Sequence, residues 1–166
     1  AAQIHPHNIK RVIRALEFWE ETGGKISEHN AQQRTRTSPY QFAYFILNMD
    51  RARLYERINL RVDLMFQNGL LEEVKGLLDA GISPDSLAMQ GLGYKETCDY
   101  LLGKTDFETA FDRIKQGTRH FAKRQITWFK REPNTFWLDL DQYPDTDAQL
   151  EVILNVLKEK NIVPLS

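Results

Sequence analysis

Residues 118–131, TRHFAKRQITWFKR, constrain this chain more than any other stretch. Arg119, Lys123, Arg124, Lys130 and Arg131 crowd around Phe121, Trp128 and Phe129, with His120 and Gln125 between them. On a helix with roughly 100° per residue, Phe107, Phe111, Ile114, Phe121, Gln125, Trp128 and Phe129 fall on one side. Arg113, Gln116, His120, Lys123, Arg124, Thr127 and Arg131 fall on the other. The aromatics are therefore expected mostly in the core, with the basic stripe outside. A solvated charged face is the plain reading of such a stripe. Ordinary solvated helices mix signs, however, and this face carries almost no acid from Arg113 onward. A one-signed stripe suits an external anion, and RNA is the commonest large one.

With 166 residues, 42% hydrophobic and 27% charged, the chain is long enough for one domain with a core. A formal net charge of −1 means that nucleic-acid affinity must come from local patches. Cys98 has no second cysteine to pair with, which excludes an internal disulfide and fits a reducing compartment. No signal peptide or long apolar run is present, so a cytoplasmic protein with no membrane partner is expected. A monomer is expected as well. Residue 1 is alanine, and Ala1, Ala2, Gln3 and Ile4 read as mid-helix sequence. The expectation is a piece of a longer protein without its N-terminal part.

Helix dominates the pattern. Asn8 is a candidate N-cap for a helix to about Glu21, stopped by Gly23 and Gly24. Its cations Lys10, Arg11 and Arg14 come early and its acids Glu17, Glu20 and Glu21 come late, against the macrodipole. Either the early cations hold an external anion, or the acids pair with neighbours. Residues 28–39 are polar and read as a loop. Residues 41–49 read as a buried strand, and residues 51–80 as one long helix ended by Gly81. Thr105 and Glu108 suggest a capping box for the basic helix. Within that helix Gly117 implies a close contact, since glycine costs about 1 kcal/mol there. Residues 135–140 read as a second strand and residues 146–160 as an amphipathic helix. Two strands among long helices suggest the edge of an α/β layer plus a helical arm. A two-stranded sheet is hard to stabilise alone, which points to further strands.

Several residues are candidates for chemistry. Arg57 and Arg61 lie one turn apart, with Asn68 near the same face, and a guanidinium fork suits phosphate oxygens. Their spacing alone favours a solvated face. The turn Gln90, Gly91, Leu92, Gly93, Tyr94, Lys95 lets a backbone approach a ligand before a short helix. It fits equally a tight turn that needs glycine. His5 and His7 lack a neighbouring ligand cluster, and Cys98 has no obvious base, so both read as structural. No Gly-x4-Gly-Lys-[Ser/Thr] motif occurs.

Four segments together, IHPHNIKRVIRALE, LYERINLRVDLM, MQGLGYKE and RHFAKRQITWFKR, resemble the bacterial tRNA dimethylallyltransferases, also called tRNA isopentenyltransferases. Their order and spacing match across nearly the whole chain, but only the C-terminal half of such an enzyme is covered. The resemblance implies an α/β, predominantly helical fold: the C-terminal part of a P-loop kinase-like core with a helical tRNA-binding insertion. Residues 1–38 would form a helical arm of that insertion, and residues 39–166 the C-terminal part of the catalytic core. The implied reaction carries a dimethylallyl group from dimethylallyl diphosphate to N6 of the adenosine 3′ to the anticodon. The implied partners are that diphosphate and a tRNA anticodon stem-loop. Mg2+ is the implied cofactor, bound mainly by the half that this chain lacks, together with the P-loop and general base. This chain alone is therefore expected to be inactive.

By matching residues, the resemblance gives Arg61 the catalytic role of stabilising the leaving diphosphate. It assigns tRNA contacts to Lys10, Arg11 and Arg14, to Gln90, Gly91, Gly93, Tyr94 and Lys95, and to Lys123, Arg124, Gln125, Thr127, Trp128, Lys130 and Arg131. Asn8-Ile9 and His120 depart from the family's usual residues. The alternatives are a stand-alone helical RNA-binding module without catalysis and a helical protein–protein adaptor.

Overall fold

The computed structural model describes residues 7–35 and 38–163. The readings placed on residues 1–4 and on His5, and on residues 36–37 of the expected loop, lie outside the described residues. The chain divides into two compact units, with the boundary between Gln41 and Phe42.

The first unit holds α1 (Ile9–Thr22) and α2 (Ile26–Thr35). The Asn8 side chain accepts from the Arg11 N–H at 3.4 Å, as an N-cap should. Gly23 ends α1 by donating its N–H to the Trp19 carbonyl at 2.8 Å. Helix α2 corrects the expected loop over residues 28–35. Its sequence ISEHNAQQRT has no apolar stripe, so periodicity gave no signal. The Lys25 ammonium pairs with Glu28 at 2.9 Å at its start, and the His29 ring lies 5.1 Å from Phe18 of α1.

The second unit holds β1 (Tyr44–Asn48), α3 (Arg51–Gln67), α4 (Leu70–Asp79), α5 (Tyr94–Leu101), α6 (Phe107–Phe129), β2 (Thr135–Asp139) and α7 (Thr146–Glu159). The strands pair in parallel, Tyr44 opposite Thr135 and Asn48 opposite Asp139. A parallel pair needs a long crossover, and here it consists of α3 through α6. The architecture is mostly helical α/β, as the sequence suggested.

The long helix expected over residues 51–80 is two. Gly69 stands between α3 and α4 with φ +96°, a conformation that other residues reach only with strain. The break swings α4 away, so that Leu70 and Val74 can bury against Met89 and Cys98. Met65, Phe66, Tyr94 and Leu101 close over this cluster. Ile58 and Val62 of α3 are buried, as are Ala110 and Ile114 of α6. Between the same two helices run two polar links. Arg119 donates to Asn59 at 2.7 Å, and the Lys115 ammonium lies 2.6 Å from the Asp63 carboxylate. Helix α6 is capped by Asp106, which accepts from the Thr109 N–H at 2.8 Å. The expected Thr105–Glu108 box is thus displaced by one residue, because aspartate is the stronger cap.

Candidate anion crevice and nucleic-acid interface

In open α/β sheets, ligands settle in the crevice outside the carboxyl ends of the strands. Here Asn48 and Asp139 end side by side, and the Leu140 N–H returns to the Asn48 carbonyl at 2.8 Å. Beyond them opens a cleft of about 430 Å³. Leu54, Arg57, Ile58 and Arg61 of α3 form one wall, and Ala122, Gln125, Ile126 and Phe129 of α6 form the other. Ile46, Leu47, Asn48, Met49 and Leu140 supply the base. None of these lining residues is acidic. Arg57 and Arg61 present two guanidinium forks to this acid-free, largely apolar cleft, a chemistry that suits phosphate oxygens. The Arg57 guanidinium reaches 4.0 Å from the Met49 sulfur, while Arg61 stays exposed one turn further on. Their spacing alone suggested a solvated face, and it gave no sign that the helix abuts a crevice. Asn68, thought to share their face, is instead the C-cap of α3 and does not line the cleft.

The next face of α6 carries a second groove, of about 280 Å³, lined by Lys123, Arg124, Thr127, Trp128 and Arg131. Here the expected core placement of the aromatics is corrected. Phe121 is 48% exposed and Trp128 54% exposed. Phe129 alone of the three is half-buried, edge-on to Tyr44 of β1 at 5.8 Å. A helical wheel gives direction only; it says nothing of whether a neighbouring element stands there. Arg124 lies over the Phe121 ring at 5.6 Å, and the Trp128 ring meets Phe129 edge-on at 5.0 Å. Thr127 spends its hydroxyl proton on the Lys123 carbonyl at 2.9 Å. Lys130 is the exposed C-cap. Arg119, counted with the basic residues, turns inward to Asn59 instead.

The glycine turn is held by internal bonds. Gly93 adopts φ +97°, and its N–H donates to Glu96 at 2.8 Å. Gln90 donates from its amide to the Pro84 carbonyl at 2.8 Å. Tyr94 donates its hydroxyl to Glu73, and that carboxylate raises the phenol's pKa. Gly91 and Lys95 are exposed, and Leu92 lies against Gly117 of α6. A Cβ on Gly117 would come 2.6 Å from Leu92 Cδ1, which accounts for the glycine the sequence marked as a close contact. The turn therefore abuts the basic helix.

In the first unit Lys10, Arg11 and Arg14 are exposed on α1. Arg14 shares a small groove with Glu17, Glu21 and His29, so acids stand close to that cation. Cys98 is buried, and burial pushes its thiol pKa up, which suits packing rather than reactivity. Among the described residues no group of three His, Cys, Asp or Glu stands close enough to hold a metal ion. The described residues thus offer no carboxylate cluster for a magnesium ion. No helix among the described residues is long and apolar enough to cross a membrane.

Fold and site define an α/β protein with an arginine-lined crevice at its strand ends and a basic helix beside it. The IPP transferase family model matches residues 1–132, and the chain belongs to that family. It is 50% identical over 163 residues to a tRNA dimethylallyltransferase of Lachnoclostridium phytofermentans, covering 98% of this chain and 52% of that protein. Its fold matches the tRNA isopentenylpyrophosphate transferase of Bacillus halodurans with TM-score 0.71 and 42% identity, over 96% of this chain and 47% of that one. A eukaryotic dimethylallyltransferase acting on tRNA matches with TM-score 0.76 and 28% identity, over 99% and 44% respectively. The chain spans about half the length of these relatives.

Proposed function

We propose that this chain supplies the leaving-group cation and much of the RNA surface of a cytoplasmic tRNA dimethylallyltransferase. In that reaction N6 of the adenosine 3′ to the anticodon attacks the allylic carbon of dimethylallyl diphosphate. The N6–carbon bond forms, the carbon–oxygen bond breaks, and diphosphate leaves with the electron pair. N6 gives up its proton to a base outside these residues, since no acid lines the cleft. Negative charge grows on the leaving oxygens, and a fixed cation there stabilises the transition state. Arg61 has that role, with Arg57 one turn away. Lys123, Arg124, Lys130 and Arg131 neutralise phosphates of the anticodon stem-loop, and Lys10, Arg11 and Arg14 of the first unit also contact the tRNA. Any magnesium on the diphosphate is held outside the described residues. With no P-loop motif in its sequence, the chain by itself is inactive.

The observation that carries this reading is one helix with two adjoining faces. Helix α6 walls the arginine crevice with Gln125 and Phe129 and the basic groove with Lys123 and Trp128. Arg61→Ala, made in a protein of full family length that includes this chain, tests it. Turnover is expected to fall about a hundredfold or more, with tRNA affinity little changed. Equal losses in both would make Arg61 a binding residue only. Titrating tRNA into the chain at two salt concentrations decides the RNA surface, since phosphate contacts give a steep salt slope. Binding indifferent to salt would favour a protein–protein adaptor.

A further inference from the structure

The helix that carries Arg57 and Arg61 has its start fixed from outside itself. Asp50 is the N-cap of α3, accepting from the Ala52 N–H at 2.8 Å and from the Arg53 N–H at 3.2 Å. In a complete capping box the third helical residue accepts in turn from the N-cap N–H. Here that residue is Arg53, whose side chain carries donors only. The missing acceptor comes from beyond β2. Asp141 accepts from the Asp50 N–H and from the Arg53 guanidinium. Asp141 is itself anchored at the strand end, donating its N–H to the Asp139 side chain at 3.0 Å. Its neighbour Leu140 donates to the Asn48 carbonyl at the base of the crevice.

An exposed ion pair alone contributes little. This one differs in two respects. The Asp141 side chain is 28% exposed, against 60% for Arg53, and it holds a backbone donor as well as a guanidinium. Arg53, Arg57 and Arg61 stand at four-residue spacing, which puts them along one face of α3. Arg57 and Arg61 line the crevice, and Arg53 does not. The first cation of the row is held at the strand end, while the next two face the cleft.

We infer that Asp141 is a positioning residue for the transfer reaction. By gripping Asp50 and Arg53 it sets the direction in which α3 leaves the strand end, and so where Arg61 stands in the crevice. It acts through Arg61 and touches no substrate. The inference rests on the leaving-group role proposed for Arg61. A cation stabilises the transition state only where charge develops, and a misplacement of about 1 Å can cost about a hundredfold in rate.

The test is a double-mutant cycle in a protein of full family length that includes this chain. Turnover and KM are measured for the parent, Asp141→Ala, Arg61→Ala and the double variant, below the melting temperature of each. Asp141→Ala is expected to lower kcat by about tenfold or more, with KM for tRNA within about twofold of the parent. In the Arg61→Ala background the same change is expected to lower kcat by less than about twofold, because residues that act as a unit do not add. A purely structural role would not show this coupling, since its loss multiplies that of Arg61→Ala. Asp141→Asn keeps the shape and an acceptor but not the charge, and it decides by the same cycle if the alanine variant does not fold. Unchanged turnover in the deciding variant, or an equal loss in both backgrounds, overturns the role of Asp141 alone. If Arg61→Ala itself leaves turnover unchanged, the leaving-group reading fails and this inference fails with it.

Discussion

The Arg119 guanidinium donates to the Asn59 side-chain oxygen at 2.7 Å, joining the basic helix to the helix that carries Arg61. One turn away the Lys115 ammonium meets the Asp63 carboxylate at 2.6 Å and lies 4.1 Å above the Phe111 ring. Together the links fix the two walls of the crevice. Arg119→Met removes a charged donor and leaves the half-buried Asn59 oxygen unpaired. The expected cost is about 2 kcal/mol in urea unfolding of the chain. Asn59→Leu combined with Arg119→Met is expected to cost less than the two single changes added together, because the orphaned group is gone. Strict additivity would mean that the bond contributes no coupling.

Gly117 and Leu92 give a sign that propensity alone gets wrong. Alanine in place of a helical glycine gains about 1 kcal/mol when nothing obstructs it. Here the added methyl meets Leu92 Cδ1, the end of a flexible and partly exposed side chain. Gly117→Ala alone is therefore expected to change stability by less than about 0.5 kcal/mol, gain and clash offsetting. In a Leu92→Ala background the same change is expected to stabilise by about 1 kcal/mol. Thermal unfolding of the four proteins measures the difference.

The fold was legible where a residue type states its own geometry, and illegible where a neighbour decides. Asn8 announced its helix start, and the β-branched and aromatic runs announced both strands. Helix α2 carried no stripe to detect, and Gly69 interrupted an apolar periodicity that otherwise continues smoothly from Ile58 to Leu78. Of the site, the Arg57–Arg61 spacing and the basic stripe were visible. Their meeting across one crevice depends on how α3 and α6 pack. A signal for that packing did exist. Asn59 and Asp63 repeat at four residues, and so do Lys115 and Arg119, so each helix offers a polar pair to the other. Phe121 and Trp128 misled because an aromatic on an apolar face reads as core unless its cover is known.

Trp128 lies in the basic groove with more than half its surface in solvent. If it stacks on a base, Trp128→Ala is expected to cost about 1–3 kcal/mol of RNA affinity. Unfolding stability is expected to move by less than about 0.5 kcal/mol. Phe129→Ala is expected to do the reverse, since Phe129 holds α6 against Tyr44. Measuring both quantities on both variants separates a stacking platform from an anchor. Loss of stability without loss of affinity in Trp128→Ala would make Trp128 an anchor too.

Asp106 makes the start of the basic helix sensitive to acid. Its carboxylate accepts from the Thr109 hydroxyl at 2.7 Å and from the Thr109 N–H at 2.8 Å. Those bonds, the hydroxyl's first, hold its pKa below the usual carboxylate range. The unfolded chain therefore binds this proton more readily than the folded one, and stability from the cap rises with pH. It is complete above the ordinary aspartate pKa and is lost as pH falls through the lowered folded value. Asp106→Asn keeps an acceptor at the cap but cannot titrate. Both proteins lose stability in acid through their other carboxylates, so the informative quantity is the difference between their melting temperatures. That difference is expected to be constant from neutral pH down to the usual aspartate range, and then to shift in favour of the asparagine variant. A difference independent of pH throughout would show that the ionised cap contributes nothing.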